Sequence, residues 1–323
     1  MQYKNLGNTG VKVSSLCLGT MTFGNGAGQK TSAAIFHRCR EAGINFFDCA
    51  NVYAGGHSEE ILGSLIADCR DEIVLTTKFY GVTGEDVNAR GASRYHIRQA
   101  VEASLRRLNT DRIDVYFIHH FPAEVPLEGV LRTLDDLVRE GKILYPAASN
   151  FAAWQVAMSL GISAVYGWTR FEVLQPMYNL VKRQAEVEIL PLAQSENLGV
   201  IPYSPLGGGL LTGKYAPDRR PDEGRLTDNP MYQKRYGQDW VYEVAGAFTQ
   251  FAQERGYEPA ALAVAWVASH PGVTSPIIGA RNLEQLEGSL KSLEIEMTPE
   301  LRSEVAALSP EPPPATDRLE ERA

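Results

Sequence analysis

Short apolar runs typical of buried strands alternate with amphipathic segments along almost the whole chain. Eight such runs occur, over residues 11–18, 45–48, 73–78, 114–119, 143–150, 172–178, 199–204 and 276–279. This alternation favours a parallel sheet, and eight strand–helix units predict an α/β fold of the (β/α)8 TIM-barrel type. A doubly wound sheet stays open as an alternative. It normally has fewer strands and a glycine-rich turn after the first one, and residues 19–24 do not have that fingerprint.

The helical segments and the loops complete the pattern. Apolar residues at helical spacing predict helices over residues 31–42, 58–66, 97–108, 130–138, 152–160 and 184–196, with two more before residue 276. No linker divides the chain, so we predict one barrel domain over residues 1–308 and an extended, proline-rich tail over 309–323. The long segments 79–94 and 207–237 follow strands, which places them on the C-terminal face, where loops determine specificity.

Composition argues against several functional classes. The 323 residues carry a net charge of -8 and no apolar run that could span a bilayer, which argues against a nucleic-acid partner and a membrane partner. The N-terminus lacks the apolar core of a signal peptide, so we expect a cytoplasmic location. The four cysteines form no Cys-x-x-Cys pair, and His119 and His120 would point to opposite faces of a strand. We therefore expect no metal site.

The segment 45–61 carries the strongest local signal, because a strand breaks there into a helix. Two phenylalanines favour the strand, two glycines interrupt it, and Ser58 has the character of a helix N-cap. The break presents Asp48 and Tyr53 at a strand end, where α/β proteins usually place their chemistry. Taken alone, the segment is equally compatible with an Asp48 that caps a turn and a Tyr53 that is an ordinary half-buried aromatic residue.

Ionisable side chains stand at three successive strand ends. Asp48 ends the second strand and Tyr53 follows it, Lys78 ends the third strand, and His119 ends the fourth. In a barrel these ends converge on one mouth. A tyrosine is a weak acid with a pKa of about 10, and a nearby ammonium group lowers that pKa. The sequence therefore predicts a four-residue catalytic site in which Lys78, held by Asp48, lowers the pKa of Tyr53.

The chain resembles the aldo-keto reductase superfamily over nearly its whole length. The matching motifs lie, in order, at residues 18–24, 48–53, 56–59, 77–78, 118–119, 149–151, 174–179, 203–207 and 278–281. The resemblance implies an oxidoreductase that uses NADPH on a TIM barrel. It implies that Tyr53 is the general acid that protonates a carbonyl oxygen, that Lys78 paired with Asp48 tunes it, and that His119 orients the carbonyl.

The same resemblance implies a cofactor site around the barrel mouth. Ser149, Asn150 and Gln175 would hold the carboxamide, Tyr203 would stack on the nicotinamide ring, and Arg281 would bind the 2′-phosphate of NADP. The other expected cofactor contacts are Gly19, Thr20, Met21, Asp48, Ser204, Pro205, Leu206, Gly207, Leu210, Lys214, Ile278, Gly279, Ala280 and Gln285.

The resemblance also implies local features of the ribose site, the phosphate site and the fifth strand. Thr20 and Met21 would line the ribose. The segment 204–209 and Lys214 would meet the phosphates, because small residues allow close backbone approach, although this glycine run is also compatible with a simple flexible loop. Pro146 replaces part of a glycine-containing run of the family, so a distorted fifth strand is expected.

The expected substrate is an aldehyde or a ketone. The opening segment 6–24 most resembles bacterial members that act on sugars, including nucleotide-linked ketosugars, and Phe23, Tyr80 and His120 are the expected pocket residues. We expect a monomer or a small homo-oligomer. Two alternatives stay open: a nicotinamide-binding regulatory subunit like the potassium channel β subunits, and a Schiff-base aldolase that uses Lys78 as its nucleophile.

Overall fold

Eight parallel strands, each followed by at least one helix, form the framework of the chain in the computed structural model, which describes residues 1–321. The strands, including a short N-terminal pair, are β1 (Tyr3–Asn5), β2 (Lys12–Ser14), β3 (Cys17–Gly19), β4 (Phe46–Asp48), β5 (Val74–Phe79), β6 (Ile113–Ile118), β7 (Ile143–Ser149), β8 (Val173–Gln175), β9 (Gly199–Val200) and β10 (Ile277–Ile278). The helices are α1 (Gln29–Glu41), α2 (His57–Ile66), α3 (Arg94–Leu108), α4 (Leu127–Arg139), α5 (Ala153–Tyr166), α6 (Ile189–Ser195), α7 (Arg225–Asp228), α8 (Pro230–Tyr236), α9 (Asp239–Glu254), α10 (Pro259–Ala268), α11 (Leu283–Leu290) and α12 (Pro299–Ala306).

The sheet curls until its two edges meet. Its strand order is β10-β3-β4-β5-β6-β7-β8-β9, and all neighbours are parallel. The backbone N–H of Thr274 donates to the carbonyl of Val200, the last residue of β9, at 2.9 Å, and the N–H of Ile277 donates to the carbonyl of Pro202, just beyond β9, at 2.9 Å. These bonds bring β10 beside β9, and the predicted (β/α)8 barrel is confirmed.

Strand alternation divides the core into two layers. Along β5, Val74 packs inside the barrel, whereas Leu75 packs against the surrounding helices. The same period of two therefore sends Thr76 and Lys78 inward. The β1–β2 hairpin adds Leu6 and Val13 to the interior cluster and closes the N-terminal end, which leaves the C-terminal end as the open mouth.

Several boundaries differ from the sequence prediction. The run 11–18 is two strands, because the chain turns between β2, which pairs with β1, and β3, which enters the barrel. The helix predicted over 184–196 is a 3-10 turn, Gln184–Glu186, followed by α6. The expected distortion of the fifth strand is wrong: β7 pairs with β6 through Tyr145, Pro146 and Ala147, and the carbonyl of Pro146 accepts the N–H of Glu172 at 3.0 Å.

Two features lie outside the barrel wall. Residues 310–318 contain no helix or strand, and a short 3-10 turn follows at Leu319–Glu321; the division at residue 308 stays a prediction, and the last two residues of the predicted tail lie outside the described residues. Among the helices of residues 1–321, none combines the length and the apolar character that crossing a bilayer requires.

Candidate active site

The side chains expected to carry chemistry come together at the C-terminal ends of neighbouring strands. Asp48 is the last residue of β4, Lys78 lies near the end of β5, and His119 follows β6 directly. Ser149 and Gln175 are the last residues of β7 and β8. Because parallel strands of a barrel end on one face, sequence positions more than a hundred residues apart meet at a single mouth.

Asp48 and Lys78 form a buried ion pair inside this mouth. The ammonium nitrogen Nζ of Lys78 lies 2.7 Å from Oδ1 and 2.6 Å from Oδ2 of Asp48, and it donates a third hydrogen bond to the carbonyl of Cys49 at 2.7 Å. Oδ1 of Asp48 also accepts from Thr76 at 2.7 Å and from the side-chain amide of Gln175 at 2.9 Å. Lys78 has no solvent-exposed surface. The pair is therefore fully hydrogen-bonded, which is the condition for a stable buried charge.

A strained turn brings Tyr53 back over this pair. Ala54, Gly55 and Gly56 all have positive φ, at 49°, 65° and 99°, a run of left-handed residues that glycine tolerates best. The Nζ atom of Lys78 lies 5.2 Å from the centroid of the Tyr53 ring, and the His119 ring meets that ring edge-on, with centroids 6.3 Å apart. The turn is thus the element that places a phenol between an ammonium group and an imidazole.

Ser58 does not cap the helix that follows this turn. Helix α2 begins at His57 with Gly56 as its N-cap and has no side-chain cap. The hydroxyl of Ser58 is buried and donates to the backbone carbonyl of Thr20 at 2.8 Å. The N-cap prediction is wrong, because this hydroxyl ties α2 to the loop after β3 instead.

Burial dominates the electrostatics of the site. It raises the pKa of Tyr53 to about 12, and the charge of Lys78 opposes that rise without overcoming it. The pKa of Tyr53 therefore lies above its ordinary value, whereas the sequence predicts a value below it. Burial alone would lower the pKa of Lys78, but the charge of the Asp48 carboxylate and its hydrogen bonds raise it above its ordinary value. Burial and the charge of Lys78 lower the pKa of His119 to about 2. At neutral pH the site holds a protonated phenol, an ammonium and a neutral imidazole.

A chain of hydrogen bonds links His119 to Tyr203. Asn150, at a positive φ of 58°, donates through Nδ2 to the carbonyl of His119 at 2.9 Å and to Oγ of Ser149 at 3.1 Å. Its Oδ1 accepts the hydroxyl of Tyr203 at 2.7 Å. Ser149 in turn donates to the carbonyl of Gln175 at 3.0 Å. The four residues expected at the nicotinamide end are therefore neighbours in space.

The two adjacent histidines do not point to opposite faces. Their rings stack at 5.1 Å with an interplanar angle of 16°, because β6 ends at Ile118 and strand alternation no longer applies. His120 also lies 5.6 Å from the ring of Tyr80. Within the described residues, no cluster of three or more potential metal ligands forms.

The glycine run after β9 makes a backbone cradle. Gly207, Gly208 and Gly209 have φ of 59°, 71° and 105°, and a Cβ atom on Gly208 would meet the Tyr232 ring at 2.7 Å. A Cβ atom on Gly209 would lie 3.8 Å from Nζ of Lys214. Burial and then the charge of Arg281 lower the pKa of Lys214. The amides of Gly207 and Gly209 donate to the carbonyls of Ser204 and Leu206, so the groups that can attract an anion here are the two cations, Lys214 beside the turn and Arg281 within its electrostatic reach.

The other expected contacts differ in exposure: Met21, Ser204 and Leu206 are half-buried, and Gly19 and Pro205 are buried. Arg281, Gln285 and Gly279 are exposed, and the backbone N–H of Arg281 donates to Oε1 of Gln285 at 3.0 Å at the start of α11. The side chains that pack inside the protein, with less than 3% of their surface exposed, are Thr20, Phe23, Leu210, Ile278 and Ala280. Thr20 donates its hydroxyl to the carbonyl of Asp48 at 3.1 Å. In this structure Phe23 and the Thr20 side chain therefore offer no surface to a substrate or a ribose.

Some residues of the mouth are missing from the sequence prediction. Thr76 binds Asp48, and the period of two along β5, which already places Lys78 inward, identifies it. Phe121 and Trp154 stand at the rim with ring centroids 5.8 Å apart. Arg235 on α8 lies within electrostatic reach of His120 and Tyr203, and no motif singles it out.

Known proteins resemble this chain over nearly its whole length. The model of the aldo/keto reductase family matches residues 15–309. A protein named as an uncharacterized oxidoreductase, YrpG of Bacillus subtilis, is 36% identical over 93% of this chain and 94% of its own length. Norsolorinic acid reductase of Emericella nidulans is 36% identical over 90% of this chain and 77% of its own length. A probable voltage-gated potassium channel subunit beta of Oryza sativa subsp. japonica is 37% identical over 98% of this chain and 99% of its own length.

Proposed function

The chain belongs to the aldo/keto reductase family, and on that premise we propose that it is an NADPH-dependent oxidoreductase that reduces an aldehyde or a ketone to the alcohol. The observation that carries this proposal is the buried Asp48–Lys78 pair beneath a protonated Tyr53, with a neutral His119 at its edge. This arrangement supplies a proton donor and a hydrogen-bond donor to one oxygen atom, which is what carbonyl reduction requires.

Each member of the tetrad has a chemical task in this proposal. Tyr53 holds its phenolic proton, since its pKa is about 12, and transfers that proton to the carbonyl oxygen as negative charge develops there. Lys78 stabilises the phenolate that remains, and Asp48 keeps Lys78 charged and fixed. His119 is neutral, so one ring nitrogen carries a proton that can be donated to the same oxygen.

The residues present fit a nicotinamide dinucleotide. When bound, the cofactor would supply the hydride. The glycine cradle at Gly207–Gly209 carries no side chain that would block a phosphate, and Lys214 stands beside it with Arg281 near enough to lower its pKa. Ser149, Asn150, Gln175 and Tyr203 would hold the nicotinamide end, with Met21 near the ribose. Gln175 would have to share its amide with Asp48, to which it is bonded here.

The direct test is the loss of NADPH absorbance with a panel of carbonyl compounds. The panel contains neutral aldehydes, ketones, sugars and nucleotide-linked ketosugars, the last because of the resemblance of residues 6–24 to sugar-reducing members. We expect turnover of at least one compound and stoichiometric formation of the alcohol. NADPH binding without oxidation by any member of the panel would contradict the proposal.

The preference for NADPH over NADH is tested at Arg281. Arg281→Gln removes the fork-shaped cation proposed for the 2′-phosphate and should raise KM for NADPH by roughly tenfold or more while leaving KM for NADH nearly unchanged. The matched control is Arg106→Gln, which removes the same charge from the exposed surface of α3. Equal changes in KM for NADPH and KM for NADH would show that Arg281 does not bind the 2′-phosphate.

A second candidate function comes from the relatives named as potassium channel subunits. The plant protein described above covers the chain almost end to end, and another such protein in Arabidopsis thaliana is 38% identical over 91% of it. On this reading the chain would bind the nucleotide and regulate a membrane partner. Nucleotide binding together with a stable oligomer and an absence of turnover would favour it over the reductase.

The aldolase alternative conflicts with the state of Lys78. A Schiff base forms only from a neutral amine, and enzymes that use one lower the pKa of the lysine. Here Nζ donates three hydrogen bonds and Asp48 raises its pKa, so the lone pair is not available. Lys78 is therefore proposed as a positioning charge, and borohydride trapping with substrate should not label it.

A further inference from the structure

Cations other than Lys214 and Arg281 also stand around the barrel mouth, and one of them, Arg225, lies 5.7 Å from the centroid of the Tyr232 ring. Lys214 and Arg281 are proposed above for the phosphates of the cofactor. The second pair is Lys182, which follows β8, and Arg235 on α8. In the described part of the chain neither residue forms an ion pair with a carboxylate. Their cationic groups lie over aromatic rings instead, Lys182 5.5 Å from the centroid of Tyr236 and Arg235 5.6 Å from that of Tyr232.

The two tyrosines fix this second pair at the reaction mouth. Tyr232 and Tyr236 are buried and stack with centroids 6.3 Å apart at 17°. Asn179 donates to the hydroxyl of Tyr236 at 3.1 Å and to the carbonyl of Ser204 at 2.9 Å, directly after Tyr203. The platform formed by Tyr232 and Tyr236 is therefore tied to the backbone next to the expected nicotinamide partner, and it carries Lys182 and Arg235 with it.

The charge of Arg235 affects the pKa values of neighbouring groups at the mouth. Burial lowers the pKa of His120, and the charge of Arg235 lowers it further. The same two causes lower the pKa of Lys182. Burial raises the pKa of Tyr203, and the charge of Arg235 opposes that rise. The pKa of Lys214, by contrast, is lowered by burial and then by the charge of Arg281. Arg235 thus lies within electrostatic reach of His120 and Tyr203.

Two neighbouring cations without a counter-charge imply an anion that is supplied from outside. Partial burial and mutual repulsion both disfavour this pair in the free protein, and an anionic ligand relieves both. The chain as a whole carries a charge of -8, so its general field repels anions. Attraction of an anion to the mouth must therefore come from local cations.

We infer that Lys182 and Arg235 anchor a negatively charged group of the substrate, so that the preferred substrates are carbonyl compounds that carry a carboxylate or a phosphate. The inference rests on the proposed reductase function for its reacting carbonyl, but the anchor itself is a binding site. An ion pair with bidentate Arg235 fixes the far end of the substrate, while Tyr53 and His119 act on the carbonyl end.

The test compares aldehydes that differ in charge at one position. The probes are 4-carboxybenzaldehyde, 4-formylphenyl phosphate and the neutral methyl 4-formylbenzoate, each with saturating NADPH. In Arg235→Gln, the ratio of kcat/KM for an anionic probe to that for the neutral ester should fall roughly tenfold or more, the effect of losing one charge-assisted contact. Lys182→Gln should lower the same ratio. The control is Lys234→Gln, the exposed neighbour of Arg235 on α8, which should leave the ratio unchanged.

The two anions distinguish the source of the charge. If the kcat/KM ratio in Arg235→Gln falls more with 4-formylphenyl phosphate than with 4-carboxybenzaldehyde, a phosphate is the preferred group. If it falls more with 4-carboxybenzaldehyde, a carboxylate is preferred. A ratio that is unchanged in Arg235→Gln, or that falls equally in Lys234→Gln, overturns the inference. So does a rise in KM for NADPH in Arg235→Gln with no change in the ratio, because Arg235 then belongs to the cofactor site.

A binding measurement keeps this test separate from the test of the reductase function. Calorimetric titration with 4-carboxybenzyl alcohol and with its methyl ester, in the presence of NADP+, needs no turnover. Tighter binding of the acid than of the ester, lost in Arg235→Gln, supports the anchor even if no aldehyde is reduced. Equal binding of acid and ester overturns the anchor even if neutral aldehydes are reduced.

Discussion

Replacing Asp48 with Asn should lower the free energy of unfolding far more than the loss of one surface charge does. The side chain keeps an oxygen for Thr76 and Gln175, but an amide now faces Nζ of Lys78 where the carboxylate oxygen lay at 2.6 Å. Lys78 has no exposed surface, so its charge is left without a counter-charge, although the carbonyl of Cys49 still accepts one of its hydrogen bonds. Breaking a buried ion pair in this way costs about 3 to 5 kcal/mol.

The ionisation of Lys78 sets a ceiling on that penalty. A lysine with an ordinary pKa of about 10.4 can lose its proton at pH 7 for about 4 to 5 kcal/mol, so the loss cannot be much larger. In the variant, burial without Asp48 depresses the pKa of Lys78 below its unfolded value, so the penalty shrinks as pH rises towards 10. At pH 9.5 the same ceiling is about 1 kcal/mol. In the wild type the pKa of Lys78 is raised, so its contribution is constant below the unfolded pKa.

Urea denaturation of both proteins at pH 7 and pH 9.5 measures this difference. The matched control is Asp136→Asn, which breaks surface ion pairs to Arg94 and Arg132, whose side chains are 61% and 49% exposed. That control should lose no more than about 1 kcal/mol, with little dependence on pH. A loss in Asp48→Asn as small as in the control, or one that grows between pH 7 and pH 9.5, would refute the reasoning.

The remaining predictions concern pH and the glycine cradle. Because the pKa of His119 is about 2 and that of Tyr53 about 12, kcat/KM for a neutral aldehyde should be level between pH 7 and pH 9; an inflection in that range would mean that one of these groups titrates there. Gly208→Ala adds a Cβ atom 2.7 Å from the Tyr232 ring at a positive φ and should raise Kd for NADPH by roughly tenfold or more, as read by quenching of protein fluorescence. Gly161→Ala on α5, where nothing lies within 4 Å of the added atom, is the control and should leave Kd unchanged.

The barrel and the tetrad were accessible from sequence because both depend on periodic signals. Eight apolar runs separated by helical spacing fix the strand count, and the rule that parallel strands end on one face brings Asp48, Lys78 and His119 together without any coordinates. The same rule would have found Thr76, two residues before Lys78 on the inward side of β5.

The errors have local physical causes. Ser58 has the composition of an N-cap, but a carbonyl of Thr20 competes for its hydroxyl. The pKa of Tyr53 depends on how completely the phenol is buried, which no sequence pattern reports, so the effect of Lys78 was overestimated. His119 and His120 stack because β6 ends one residue before them, within the ordinary uncertainty of a strand boundary.

Long-range partners without a motif were not predictable. Lys182 and Arg235 are 53 positions apart, on a loop and on a seven-residue helix. They lie over Tyr236 and Tyr232, and the stacking of these two rings brings them to one region. The irregular segment 207–237 was correctly placed on the C-terminal face, yet its sequence does not show that α8 lies within it beside the glycine cradle. Such contacts arise from packing of loops on a rigid framework.

The central claim is that Tyr53 supplies the proton for carbonyl reduction, and Tyr53→Phe tests it most directly. The substitution keeps the ring beside Lys78 and removes only the hydroxyl. We predict that kcat/KM falls by a factor of about 100 to 10,000 while Kd for NADPH stays within about twofold. The control Tyr95→Phe, on the exposed surface of α3, should retain full activity. Turnover by Tyr53→Phe within about threefold of the wild-type rate would contradict the account.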